Sequence, residues 1–123
     1  MYTLDTNAII YCLKKDKTVV SLIKQILIQN RPVYISTITE LELFGYPNLT
    51  SFESEIIETI LNTFSIIPVD SRIARIAGFI RRNYKVKAFD AAIAATALST
   101  GSTLLTRNIK DFNKIPNLLL RAI

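Results

Sequence analysis

Apolar positions along the chain follow two alternating rhythms: short runs rich in β-branched residues, and longer stretches where they recur every three or four residues. Tyr2-Thr3-Leu4 reads as an opening strand, and Asn7 to Leu13 is apolar enough for a helical turn or two. Val19, Leu22, Ile23, Ile26 and Leu27 set a helix over Thr18 to Ile28. Arg31-Pro32 ends it, and Val33-Tyr34-Ile35 follows as a second strand. Ser36 to Phe44 returns to helical spacing, with Ser36, Thr37 or Thr39 as N-cap candidates, before a Gly45-Tyr46-Pro47-Asn48 loop. Ser51 to Phe64 is helical, with Phe52, Ile56, Ile60 and Leu61 on one side. Ser65-Ile66-Ile67-Pro68-Val69 is a third strand. Asp70 or Ser71 caps a helix to Tyr84, with Ile73, Ile76, Ala77, Ile80 and Tyr84 inward. Ala88 to Leu98 is an alanine-rich helix that Gly101 terminates; Thr103 to Thr106 is a fourth strand and Leu118 to Leu120 a candidate fifth.

Strands alternating with helices imply an α/β fold: a parallel sheet of four to five strands, covered by helices on both faces in three α/β/α layers. Neither a linker, a repeat nor a low-complexity tract interrupts the pattern, so residues 1–123 are expected to form one domain.

Composition narrows the chemistry. There is no histidine, which removes imidazole acid–base catalysis, Ser-His triads and most zinc sites. One cysteine, Cys12, cannot form an internal disulfide, and no apolar run approaches the roughly 20 residues that cross a bilayer. Asp5 interrupts the first apolar stretch, which argues against a signal peptide. A cytoplasmic protein with no membrane role is the expectation. The net charge of +5 suits a polyanionic partner. Much of it falls on Arg72, Arg75, Arg81, Arg82, Lys85 and Lys87, a set open to three readings: a solvated face, an RNA contact, or a seat for an acidic protein segment.

In open α/β sheets, ligands bind beyond the carboxyl ends of the strands. Asp5 directly follows the first strand, Glu42 lies in the helix leaving the second, and Thr106, Asn108 and Asp111 follow the fourth. Asp90 opens the alanine-rich helix. Carboxylates converging at one edge repel one another and raise each other's pKa, a state that a cation relieves. Oxygen-only ligation favours Mg²⁺ or Mn²⁺. Each acid also has a structural explanation: Asp5 as a helix cap, Glu42 as a solvated residue, Asp90 as a favourable charge at a helix N-terminus, Asn108 and Asp111 as loop residues. Glu40 points about 200° away from Glu42 around the helix, so only one of them faces a shared cleft.

As a set these residues are more specific. Leu4-Asp5-Thr6-Asn7, Thr39-Glu40-Leu41-Glu42-Leu43, Phe89-Asp90-Ala91-Ala92-Ile93-Ala94-Ala95 and Thr106-Arg107-Asn108-Ile109-Lys110-Asp111-Phe112 resemble, in order, the four motifs of the PIN-domain nucleases. Within that family the chain looks like the VapC-like toxins of type II toxin–antitoxin modules. The resemblance implies a PIN-like fold and an Mg²⁺-dependent endoribonuclease, with Mn²⁺ as the alternative ion. It implies Asp5 and Asp90 as main metal ligands, Glu42 completing the cluster, and Asp111 or Asn108 supporting a second ion or the water shell. Register favours Glu42 over Glu40. Many relatives carry an acid where Asn108 stands. Thr6 and Thr106 would position water or a ligand carboxylate, and Arg107 would grip substrate. RNA, a small antitoxin and a second copy of the chain are the implied partners. A phosphatase of the haloacid dehalogenase type is disfavoured because Asn7 stands where its second aspartate belongs, and a phospho-receiver domain because its strand-end Asp and Lys do not stand out. A PIN-like domain kept only for binding is the remaining rival.

Overall fold

The computed structural model describes all 123 residues. Five short strands form one parallel sheet: β1 (Tyr2–Leu4), β2 (Val33–Ser36), β3 (Ser65–Ile67), β4 (Thr103–Thr106) and β5 (Leu120–Ala122), in the order β3-β2-β1-β4-β5. Seven helices connect them: α1 (Thr6–Leu13), α2 (Lys17–Ile28), α3 (Thr37–Phe44), α4 (Ser51–Leu61), α5 (Ser71–Tyr84), α6 (Ala88–Thr100) and α7 (Ile109–Phe112). Two apolar cores lie on the two faces of the sheet. One gathers α1, α2 and α4 around Leu4, Ile35 and Leu105; the other gathers α5 and α6 around Leu104, Phe112 and Ile115. This is the three-layer arrangement expected from the alternation of strands and helices.

Local chemistry explains where the helices start. Asp5, Asp16, Ser36, Thr50 and Asp70 each place a side-chain oxygen on a backbone N–H of the following turn, and Thr50 with Glu53 forms a full capping box. Gly101 ends α6 at φ 62°, a left-handed conformation that glycine takes without strain.

Three expectations shift. The fifth strand is Leu120–Ala122, displaced from Leu118 to Leu120, because Leu104 N–H bonds Leu119 O and sets β5 beside β4 two residues further on. Of Asn108 to Asp111, read as a loop, only Asn108 precedes the single helical turn α7, while Ile109, Lys110 and Asp111 lie within it and its Phe112 is buried in the core. On α4 the buried stripe is Ile57 and Leu61, while Phe52 is 71 % exposed and Ile56 36 %. This helix carries two neighbouring apolar stripes, and only one faces the sheet.

The chain reverses its direction of travel across the sheet at β1, which has β2 on one side and β4 on the other. Leu4 pairs with Ile35 and with Leu105, so the residues following each strand emerge at one level, at the switch point where such sheets bind ligands.

Candidate active site

Asp5 leaves the centre of this edge. It is 4 % exposed, and both of its oxygens are committed. Oδ1 accepts from Ala8 N–H at 2.8 Å, which caps α1, and Oδ2 accepts from the Thr106 hydroxyl at 2.6 Å. The strand register produces the second bond, since Leu4 faces Leu105 and the next residues lie side by side. Thr106 Oγ1 also accepts from Asn108 N–H at 2.9 Å, which folds the β4–α7 loop over the site.

Glu42 arrives from α3. Its Oε1 accepts from the Thr6 hydroxyl at 2.6 Å, and Thr6 lies 3.2 Å from Thr39 Oγ1. Glu40 does not line the cleft; Glu42 does. Asp90 reaches the same place through topology. Helix α6 runs back against the parallel strands, so its N-terminus lies at their carboxyl edge. The Asp90 side chain is half-buried and makes no hydrogen bond within the protein. The fourth corner is a pair: Asn108 Nδ2 donates to Asp111 Oδ2 at 3.0 Å.

Asp5, Thr6, Asn7, Glu42, Asp90 and Asn108 line a narrow cleft of about 50 Å³. It opens into a wider basin of about 550 Å³ that adds Lys87, Phe89 and Asp111. Thr106 stands behind Asp5. A separate apolar groove of about 450 Å³, lined by Ile10, Leu13, Leu43, Tyr46, Ile56 and Ile57 among others, contains none of the clustered acids.

The electrostatics of the cleft are those of uncompensated acids. Burial holds the Asp5 carboxyl above the usual aspartate range, opposed by its bonds from Thr106 and Ala8, with Asp90 and Glu42 adding to the rise. Burial also raises Asp90, helped by the charges of Glu42 and Asp111 and opposed by Lys87. No three His, Cys, Asp or Glu side chains are gathered tightly enough to hold an ion alone. An ion here would take one or two carboxylates and fill its shell with water, as small hard cations do. The all-oxygen donors Asp5, Glu42, Asp90 and Asn108, and above all the unpartnered Asp90 carboxylate, fit such a cation.

Arg107 is the sequence-selected residue that does not join the cleft. Its Nη2 bonds Asp16 Oδ2 at 2.9 Å, its Nε donates to Ile123 O at 2.9 Å, and its guanidinium lies 4.1 Å from the centre of the Tyr11 ring. It clamps the α1–α2 turn and the residue at position 123 to the far side of the β4 end. Asn7, exposed at the start of α1, and Phe89 are lining residues that the motif reading did not single out. Asn7 was within reach, since it completes the first motif. Cys12 stays outside the chemistry, because burial, with the Asp16 charge, pushes its thiol up to about 11.

Residues 2–118 match the PIN domain. The chain belongs to the PIN-domain family. It is 30% identical over 128 aligned residues to Ribonuclease VapC2 of Rickettsia felis, covering 98% of this chain and 96% of that protein. Among solved structures, VapBC2 of Rickettsia felis bound to a DNA fragment of its promoter aligns with a TM-score of 0.87 and 26% identity, over 99% of this chain and 98% of that one. A toxin–antitoxin complex from Klebsiella pneumoniae aligns with a TM-score of 0.79 and 33% identity, over 97% and 96%. VapBC-1 of nontypeable Haemophilus influenzae aligns with a TM-score of 0.82 and 28% identity, over 98% and 96%. The family match, over residues 2–118, includes the sheet edge that carries Asp5, Glu42, Asp90 and Asn108. No helix is long and apolar enough to cross a membrane.

Proposed function

We propose that this PIN domain is a metal-dependent endoribonuclease and the toxin of a toxin–antitoxin pair. The observation that carries the reading is the convergence of Asp5, Glu42 and Asp90 in one cleft with no basic side chain bonded to any of them. A cation in the cleft would offset the burial and the neighbouring charges that hold Asp5 and Asp90 above the usual aspartate range. Similarity to Ribonuclease VapC2 supplies the substrate class, and similarity to toxin–antitoxin complexes supplies the partner, a small antitoxin.

Asp5 and Asp90 are the proposed main metal ligands, Glu42 completes the cluster, and Asn108 offers a neutral oxygen. A bound Mg²⁺, with Mn²⁺ as the alternative, supplies positive charge at the scissile phosphate and lowers the pKa of water. Thr106 and the Ala8 N–H fix the Asp5 carboxylate in orientation, leaving no freedom to swing out of the cleft. Thr6 does the same for Glu42, whose second oxygen is left to orient the attacking water. Asp111 acts through Asn108, holding its amide at the rim. In-line attack by water then leaves a 3′-hydroxyl and a 5′-phosphate. None of this needs a histidine.

The test is cleavage of tRNA and mRNA in Mg²⁺, Mn²⁺ or EDTA, beside the Asp5→Ala and Asp90→Ala variants. Cleavage requires a divalent ion and falls by more than about 100-fold in each variant, since even groups that merely orient a ligand are worth about 10–100-fold. Cleavage that survives EDTA or either substitution overturns the mechanism.

A further inference from the structure

The cleft contains acids to act on a phosphate, yet Lys87 is the only cation on its walls. Arg107, the residue sequence placed beside the site, is spent on Asp16, Ile123 and Tyr11. Basic charge is concentrated next door. Residues 71–87 hold six of the fifteen basic residues and none of the ten acidic ones. The single ion pair of the structure is Arg107–Asp16, so none of the six is bonded to an acid, and Lys87 meets Asp90 only as a more distant charge.

Their placement on α5 is ordered. Ile73, Ala77 and Ile80 face the core, and Arg72, Arg75, Phe79 and Arg82 are exposed. At about 100° per residue these four fall within about 80° of one another, in a stripe on the solvent side about 15 Å long. Phe79 is 51 % exposed, with the Arg82 guanidinium 5.7 Å from its ring centre and the Tyr84 ring edge-on at 6.3 Å. Lys85 turns the chain in a left-handed conformation, and Lys87 and Phe89, two and four residues later, are on the basin wall beside Asp90. Helix stability accounts for Arg82, in the last turn of α5 where the dipole favours a cation, but not for Arg72 and Arg75. Arg72 stands in the first turn of α5, where the helix dipole disfavours a cation, and Arg72 and Arg75 are like charges at i, i+3.

We propose that the Arg72–Arg75–Phe79–Arg82 face of α5, continued by Lys85 and Lys87, is a track that binds the flank of a single-stranded RNA leading into the acidic cleft. The inference rests on the ribonuclease reading and adds where the strand lies. Cations meet the phosphates without reading sequence, and Phe79 offers a face for an unstacked base. An acidic protein segment fits less well: the track ends at Glu42, Asp90 and Asp111, which repel it, and an exposed ring gives a carboxylate nothing.

The experiment compares the full chain with a track variant, Arg72→Gln/Arg75→Gln/Arg82→Gln, and with Phe79→Ala. A control variant, Lys17→Gln/Lys24→Gln/Arg31→Gln, removes equal charge from exposed positions elsewhere. Substrates are a 5-nucleotide and a 25-nucleotide RNA sharing one cleavage site, assayed in Mg²⁺ or Mn²⁺ over a salt series. Binding of the longer RNA is read by anisotropy in Ca²⁺. For the track variant KM on the long RNA rises about tenfold at low salt with kcat unchanged, and the short RNA is cut as by the unmodified chain. The slope of log affinity against log salt drops by about 2, near 0.7 for each phosphate that is no longer neutralised. Phe79→Ala weakens long-RNA binding about fivefold or more with an unchanged slope. The control variant changes neither. Equal KM and slope for the track and control variants overturn the track. So does a track variant that binds RNA normally but no longer retains a co-expressed antitoxin, which reassigns the face to protein. If the unmodified chain cuts no RNA at all, the ribonuclease reading fails, while the Ca²⁺ binding series still decides the track.

Discussion

Helix α1 is bracketed by two aspartates that look alike in sequence and behave in opposite ways. Asp5 precedes α1 and Asp16 precedes α2, and each caps its helix through Oδ1. Asp16 lies at the surface with Arg107 on its other oxygen, and that hydrogen bond holds its carboxyl below the usual range. Asp5 is buried with a neutral hydroxyl on its other oxygen, and burial beside Asp90 and Glu42 holds its carboxyl above it. Capping is therefore common to both and separates nothing. What marks the candidate catalytic aspartate is the absence of a protein cation where charge is most costly.

Exchanging each for its neutral isostere gives the largest contrast. Asp5→Asn keeps the cap acceptor but removes the charge, and activity falls by more than about 100-fold, as for a lost metal ligand. Asp16→Asn breaks only an exposed ion pair, and activity stays within a few fold. Steady-state cleavage rates at saturating metal check both, and equal losses would erase the distinction drawn between them.

Thr106 is the hinge of the comparison, since it bonds Asp5 while its neighbour Arg107 bonds Asp16. Thr106→Val keeps the shape and removes the hydroxyl. The expected result is a loss of about 10–100-fold in metal affinity or rate, with thermal stability falling by less than in a core truncation. A metal titration followed by activity separates the two forms of the loss. Full activity would mean that the Asp5 carboxylate needs no positioning.

The finest contrast is the pH dependence of stability. Asp90, like Asp5, has a folded-state pKa above its ordinary 3.8. The folded state then holds the proton more tightly, so stability in EDTA is lost as pH rises from about 3.8 through the raised value. Asp90→Asn removes that loss: its Tm exceeds that of the unmodified chain at neutral pH, and the gap closes toward pH 4. Divalent cation at neutral pH narrows the gap from the other side by stabilising the unmodified chain. Asp16 has the opposite sign. Its contribution is present above 3.8 and disappears as pH falls through its depressed value. Thermal denaturation from about pH 2 to about pH 8 reads both, since Asp16 titrates only below its ordinary 3.8, and a neutral-pH Tm for Asp90→Asn at or below the unmodified value would remove the repulsion assigned to the cluster.

Much of the architecture was legible because its signals are local. The strand runs, the capping aspartates and Gly101 act within a few residues, and the structure returns nearly every element they imply. The absence of histidine narrowed the chemistry to carboxylates, lysines, hydroxyls or a hard metal. The four motifs located Asp5, Glu42 and Asp90. Less legible were α7 and β5, where a four-residue helix and a three-residue strand owe their existence to Phe112 entering the core and to pairing with β4. Which apolar side of α4 is buried was not legible, because two apolar faces on one helix are indistinguishable until one is covered.

The sequence by itself determined the alternation of elements, the single parallel-sheet domain, and which acids stand where ligands gather. Only the tertiary structure decided their partners. It joined Thr106 to Asp5 across 101 positions and Thr6 to Glu42 across 36, paired Asn108 with Asp111, and diverted Arg107 to Asp16. It also left the arginine face of α5 without an acid. The physical reason is that helix and strand formation respond to neighbours along the chain, whereas charge and pKa respond to whatever lies a few ångströms away, a distance that only packing sets.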